Sequence, residues 1–177
     1  MAATSTINTM TTTTPARLTR IELESLRTWA IEKLAEHGLS HWTFVWDNRA
    51  VRRYGQCRYN VRQIGVTKKI AELNTIEDTH DVILHEIAHA LTKGDHHGPR
   101  WRAACRRIGA RPERCYRSQN NGGNVATPAG KWALVHKKTG RVYRTYHRKP
   151  RIKDWTGRYL RGLQKETYGQ LHIVSTS

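Results

Sequence analysis

The stretch that most constrains this chain is His85-Glu86-Ile87-Ala88-His89. On a helix, residues four apart project from one face, about one turn from each other. Written on a helix, this spacing lets the imidazoles of His85 and His89 grip one ion. Glu86 sits beside them, placed to take a proton from a zinc-activated water. A further histidine, His97, follows His89 by eight residues. Three protein ligands leave a fourth coordination position open to water, which is the pattern of a catalytic zinc site and not of a closed structural one. The helix itself is predicted over about Glu77–Lys93. Asp81-Val82-Ile83-Leu84 and Ile87-Ala88 with Ala90-Leu91 give it an apolar stripe at helical spacing. Thr75-Ile76-Glu77-Asp78 offers a hydroxyl cap with an acid three residues on, and Gly94 offers a stop.

The rest of the chain reads as elements around that helix. Thr19-Arg20-Ile21-Glu22 is a capping box that opens a helix running to about His37, with Leu23, Leu26, Ala30 and Leu34 on one face. Trp42 to Trp46 is a short strand with aromatics at alternate positions. Val51 to Tyr59 and Val61 to Lys68 read as two more. After the histidine helix, His97-Gly98-Pro99 opens another, with Pro99 near its first turn, Trp101, Ala104, Cys105 and Ile108 inside, and Gly109 at its end. Asn120 to Asn124 is a flexible break. Beyond it, Trp132–His136 and Arg141–Tyr146 flank a turn at Thr139-Gly140 and read as a hairpin. Trp155, Tyr159, Tyr168 and Leu171–Val174 read as a second small β unit. The expected organisation is a tail over 1–17, a catalytic domain over 18–118, a linker over 119–130 and a basic β-rich extension over 131–177. The fold class is α+β: a helix, a small three-stranded sheet, the histidine helix and the third-ligand helix, then a basic β-hairpin region.

Charge divides the same way. The net charge is +17. Residues 1–99 hold 12 Lys and Arg against 11 Asp and Glu, whereas residues 100–177 hold 19 against 3. A polycation joined to a near-neutral domain attracts polyanions, and nucleic acid is the expected partner. DNA, single- or double-stranded and with weak sequence preference, would meet Arg100, Arg106, Arg107, Lys137, Lys138, Arg141, Arg144, Arg148, Lys149 and Arg151. Aromatics interleaved with these cations also suit stacking on exposed bases. No apolar run reaches transmembrane length. Met1 to Thr14 has neither a basic n-region nor an apolar h-region, so no secretory signal is expected. The three cysteines fit free thiols in a reducing compartment. The expectation is a cytoplasmic monomer, in a bacterium or a phage-infected cell, acting on protein substrates and not on a membrane.

The third ligand sets the subclass. An extended metzincin motif needs Gly at 92 and His at 95, where this chain has Thr92 and Asp95. A downstream acid on another helix would be Glu113, in an Arg/Pro loop, which ranks second. His96 competes with His97, and Gly98-Pro99-Arg100-Trp101 favours His97. At these residues the chain resembles the SprT-like (Spartan-type) metalloprotease family. The matching residues are His85-Glu86-Ile87-Ala88-His89-Ala90 and His97-Gly98 with Trp101, with the strands upstream, over about residues 18–116. The resemblance implies a zincin-like fold, Zn²⁺ on His85, His89 and His97, and Glu86 as general base. It also implies cleavage of proteins bound or crosslinked to DNA, as in DNA repair, with DNA as activator. One departure stands out. Family members often carry a C-terminal zinc ribbon of two Cys pairs, whereas no cysteine of this chain lies beyond Cys115. The alternatives are a non-catalytic nucleic-acid-binding protein with a structural zinc, which would not need Glu86, and a zinc hydrolase of another bond.

Overall fold

The computed structural model describes residues 17–112, 125–152 and 154–176. Met1–Thr14, Asn120–Asn124, Glu113, Cys115 and Tyr116 lie outside the described residues. Helix α1 spans Arg20–Glu36 and begins with the expected capping box: the Thr19 hydroxyl accepts from the Glu22 N–H while the Glu22 carboxylate accepts from the Thr19 N–H. Strands β1 (Thr43–Asp47), β2 (Gly55–Arg58) and β3 (Gln63–Thr67) form a sheet in the order β1-β3-β2. β1 runs parallel to β3, with Phe44 opposite Ile64, and β2 runs antiparallel to it, with Cys57 opposite Ile64. A four-residue helix, α2 (Lys68–Ala71), precedes α3 (Ile76–Leu91), and α4 spans Pro99–Ile108.

Both expected inner strands are shorter than their apolar patterns. The Asp47 carboxylate accepts from the Arg49 and Ala50 N–H groups and folds the chain after β1 into a turn. Thr67 then ties the approach to β2 onto β3, its N–H reaching the Tyr54 carbonyl at 2.7 Å and its hydroxyl the Arg53 carbonyl at 2.6 Å. Residues 51–54 are therefore a fastened loop and not strand. At the other end, Arg62 in the left-handed region (φ 47°) closes a 3₁₀ turn over Tyr59–Val61, so β3 starts only at Gln63.

The core lies between α1, the sheet and α3. Leu23, Leu26, Ala30 and Leu34 of α1 meet Val82, Ile83 and Ile87 of α3 and Ile64 and Val66 of β3, all buried. From Asp81 to Ala88 every residue of α3 is buried, polar ones included. This helix is the spine of the domain, with α1, the sheet and α4 packed against it. Among the described residues, no helix is long and apolar enough to cross a membrane.

The basic region is a second sheet. β4 (Trp132–His136) pairs antiparallel with β5 (Val142–Tyr146), as the hairpin reading predicts. The last strand, β6 (Leu171–Ser175), does not form a unit of its own; it pairs antiparallel with the free edge of β4, giving the order β5-β4-β6. A short helix, α5 (Gln164–Thr167), leads into it. His136 organises this junction. Its Nδ1 accepts from the Lys138 and Thr139 N–H groups, which leaves Nε2–H to donate to the Glu166 carbonyl at 3.1 Å. The segment that leads into the second sheet is fastened to the first core. Val125 is buried in the first core, and the Asn74 side chain clasps Ala126 through two hydrogen bonds of 2.8 Å, one to its carbonyl and one from its N–H.

Candidate metal centre

His85, His89 and His97 converge. Each offers one ring nitrogen, and these three atoms lie within 4.8 Å of one another. His85 and His89 share a face of α3 by helical spacing, as predicted. His97 comes from the loop that reverses the chain into α4. His96 is exposed, sits in the left-handed region (φ 51°), and is not in the cluster. The Nε2 atoms of His89 and His97 are 3.2 Å apart. Two nitrogens bound at about 2.0–2.1 Å to one tetrahedral ion sit about 3.3 Å apart, so this pair has ligand spacing.

Electrostatics agree with that use. Burial, and then the neighbouring histidines, push His85 down to about 3, and burial with His97 and His96 pushes His89 down to about 4. Both rings are thus neutral at pH 7, the form that ligates a metal. The donor set of three imidazoles suits a first-row divalent ion.

The loop carrying His97 is pinned by Asp95. Its carboxylate accepts from the Trp101 N–H at 2.8 Å, in the first turn of α4, where unpaired N–H groups and the helix dipole favour an anion. Gly98 makes this possible by lacking a side chain, since a Cβ there would lie 2.8 Å from both Asp95 carboxylate oxygens. Trp101, fully buried, is the floor of the cluster. It stacks on His89 at 5.3 Å between centroids and meets His85 and His97 edge-on at 4.8 and 4.6 Å. Arg111 secures the far end of α4: its backbone N–H and Nε donate to the Asp81 carboxylate at 2.7 and 2.6 Å, one turn of α3 below His85.

Glu86 faces β2. Its carboxyl accepts from the Cys57 N–H, and burial holds it well above the usual carboxylate range, at about 8. A divalent ion beside it would pull that value down. Gly55 presses on it: a Cβ at 55 would lie 2.5 Å from Glu86 Oε1 and 2.8 Å from Val82 Cγ1. We expect Gly55→Ala to displace the carboxylate and cost about 1–3 kcal/mol of stability. Thermal unfolding checks this, and wild-type stability would contradict it.

A model of the SprT-like family matches residues 23–121, more than half of the chain. The chain belongs to that family. No curated protein matches it. The SprT-like match covers most of α1, the first sheet, α3 and the loop that carries His97 into α4, so the family's metallopeptidase-type fold and this cluster coincide.

Near this site, the Tyr54 hydroxyl is buried against Thr79 at 2.9 Å. Arg100 is exposed on the first turn of α4. Burial, and then the neighbouring Cys57 and Glu86, push the Tyr59 hydroxyl up to about 12, and it donates to the His89 carbonyl at 3.0 Å. The expected nucleic-acid residues are spread more widely. Arg100, Arg106 and Arg107 are exposed on α4. Lys137, Lys138, Arg141, Arg144, Arg148, Lys149 and Arg151 are exposed around the second sheet, where Arg141 pairs with Glu166 at 3.2 Å and Lys149 lies over the Trp132 ring. Sequence reasoning missed Gly55, Asp95 and Arg111. A glycine inside a strand marks a close backbone approach, and that signal pointed to Gly55. An acid just before a Gly-Pro helix start pointed to Asp95.

Metal loading tests the ligand set. His85→Ala and His97→Ala should each lose most of the bound metal, because a ligand is lost and metal binding couples α3 to α4. His96→Ala should retain it. Native mass spectrometry reads both, and retention in His97→Ala with loss in His96→Ala would contradict the assignment.

Proposed function

We propose that this SprT-like protein is a zinc endopeptidase that cleaves DNA-bound or DNA-crosslinked proteins and is stimulated by DNA. The observation carrying the proposal is one side of α3: two neutral imidazoles one turn apart, a third brought by the α4 loop, and a buried carboxyl at the residue following the first. A structural staple has no use for that carboxyl.

Zinc held by His85, His89 and His97 would supply Lewis acidity at the scissile carbonyl and make water a nucleophile at neutral pH. The chain's own groups do the rest. Glu86 takes the proton of the attacking water on its carboxylate and passes it to the leaving amine. The Cys57 N–H and the wall at Gly55 fix the direction of that carboxylate. Trp101 and the Asp95 clamp hold the three rings in register, so little reorganisation is needed when substrate arrives.

DNA enters through the charge of residues 100–177 and the exposed cations of the second sheet. Exposed aromatics among them, Tyr159 and Tyr168, offer stacking surfaces. The family resemblance supplies the substrate class. The testing experiment is cleavage of a DNA-bound protein before and after chelation. Removing the metal should abolish cleavage and zinc should restore it; proteolysis indifferent to chelation would overturn the proposal.

A further inference from the structure

A cleft of about 470 Å³ opens between the loop that precedes β2 and the segment that leaves β5. Its walls are Arg49, Arg52 and Arg53 on one side and His147 and Arg148 on the other, with Ala50 and Val51 between them. Five basic side chains thus face one space, drawn from both sheets. Arg53 is answered by Asp47 at 3.1 Å, and Asp47 also takes Arg58 at 3.2 Å. Among the described residues, Arg49, Arg52 and Arg148 have no acidic side chain within ion-pair distance. The crowding is felt inside the cleft. Burial and the charge of Arg52 hold His147 below the ordinary histidine range. Like charges gathered without a counter-charge repel, and an anion between them removes the cost. Guanidinium groups present planar forks that match the oxygens of a phosphate.

We propose that this cleft is a phosphate clamp for a nucleic-acid backbone, in which Arg49 and Arg52 of the catalytic domain and Arg148 of the second sheet hold one phosphodiester between them. The clamp rests on the proposal that the chain binds DNA, and gives that binding a place. Two observations favour a polymer over a lone anion. The cations continue out of the cleft along the second sheet, through Arg144 on β5 and then Lys149 and Arg151. The cleft is also tied to Glu86 through the loop that lines it. Arg53 lies in it, its charge acts on Glu86, and two residues later Gly55 packs against the Glu86 carboxyl. Thr67 fastens Arg53 and Tyr54 to β3, so this path is stiff. The same phosphate draws the two sheets together.

The test is a double-mutant cycle on the full chain, read by fluorescence anisotropy with labelled DNA, single-stranded and duplex, over a series of salt concentrations. Arg52→Gln and Arg148→Gln should each weaken binding. If both hold one phosphate, the double variant weakens binding roughly tenfold, by less than the product of the single losses, and lowers the log–log salt slope by about 0.7 in single strands or 0.9 in duplex. Arg52→Lys with Arg148→Lys keeps the charge but not the forks, and should keep the slope while losing affinity. Single losses that multiply in full, or a double variant with wild-type affinity and slope, overturn the clamp and leave DNA binding elsewhere intact. A wild-type protein without salt-dependent DNA binding overturns both the clamp and the nucleic-acid reading. Inorganic phosphate alone and a polyglutamate peptide serve as further probes. Either one binding as tightly as DNA, with the same sensitivity to the two glutamine substitutions, transfers the cleft to small anions or to acidic protein and overturns the proposal.

Discussion

Glu86→Gln is expected to retain the metal and lose proteolysis by about two orders of magnitude or more. The substitution keeps volume and a hydrogen-bond acceptor, so the Cys57 N–H keeps a partner and the packing under Gly55 survives. What disappears is the proton acceptor. The structure sharpens this expectation, because Glu86 is 7 % exposed and its carboxyl is held by the Cys57 N–H. It also predicts a gain elsewhere. Burial of a carboxylate opposes folding, so the uncharged glutamine should leave stability equal or higher while activity collapses. Metal analysis, peptidase assay and thermal unfolding on one preparation read all three quantities. Wild-type-like turnover would rule out the mechanism.

The second large effect concerns the basic region. Removing it should leave metal binding intact and abolish most DNA affinity. The cut must respect the first core. A chain ending at Asn121 would take away Val125, which is 2 % exposed, and would leave the buried Asn74 amide without its Ala126 partner. Orphaned buried polar groups cost about 1–3 kcal/mol each. Ending after Thr127 spares both and still removes the twelve Lys and Arg from Lys131 to Lys165. In the full chain, with about four to seven phosphates contacted, raising salt from about 50 to 200 mM should weaken binding by roughly two to four decades. The shortened chain should keep only the residual slope of Arg100, Arg106, Arg107 and the loop arginines. An unchanged affinity and slope would show that the second sheet is not the DNA-binding element.

The parts of the fold legible in the sequence were those fixed by local spacing. α3 announces itself through an apolar stripe with a Thr75 cap, and α4 through Gly98-Pro99 and an inner face of Trp101, Ala104 and Cys105. His85, His89 and His97 follow from those two helices. Choosing His97 over His96 rested on the residues after it, and the reason lies in backbone geometry: His96 takes the left-handed turn that swings His97 inward. What stayed hidden depends on partners far away in sequence. Val51 to Tyr54 reads as the start of a strand, but Asp47 and Thr67 hold it as a loop. Leu171 to Val174 looks like one half of a new hairpin, yet β4 had an open edge and took it. The Asp81–Arg111 pair and the Asn74 clasp join residues 30 and 52 positions apart, and no local pattern encodes them.

The most direct measurement is the initial rate at which the zinc-loaded full chain cleaves a DNA-binding protein, with and without DNA. A DNA-stimulated zinc peptidase should cleave slowly without DNA and accelerate when DNA is added, with the gain falling as salt rises. Equal rates with and without DNA, at low salt and with the metal site full, would contradict that function.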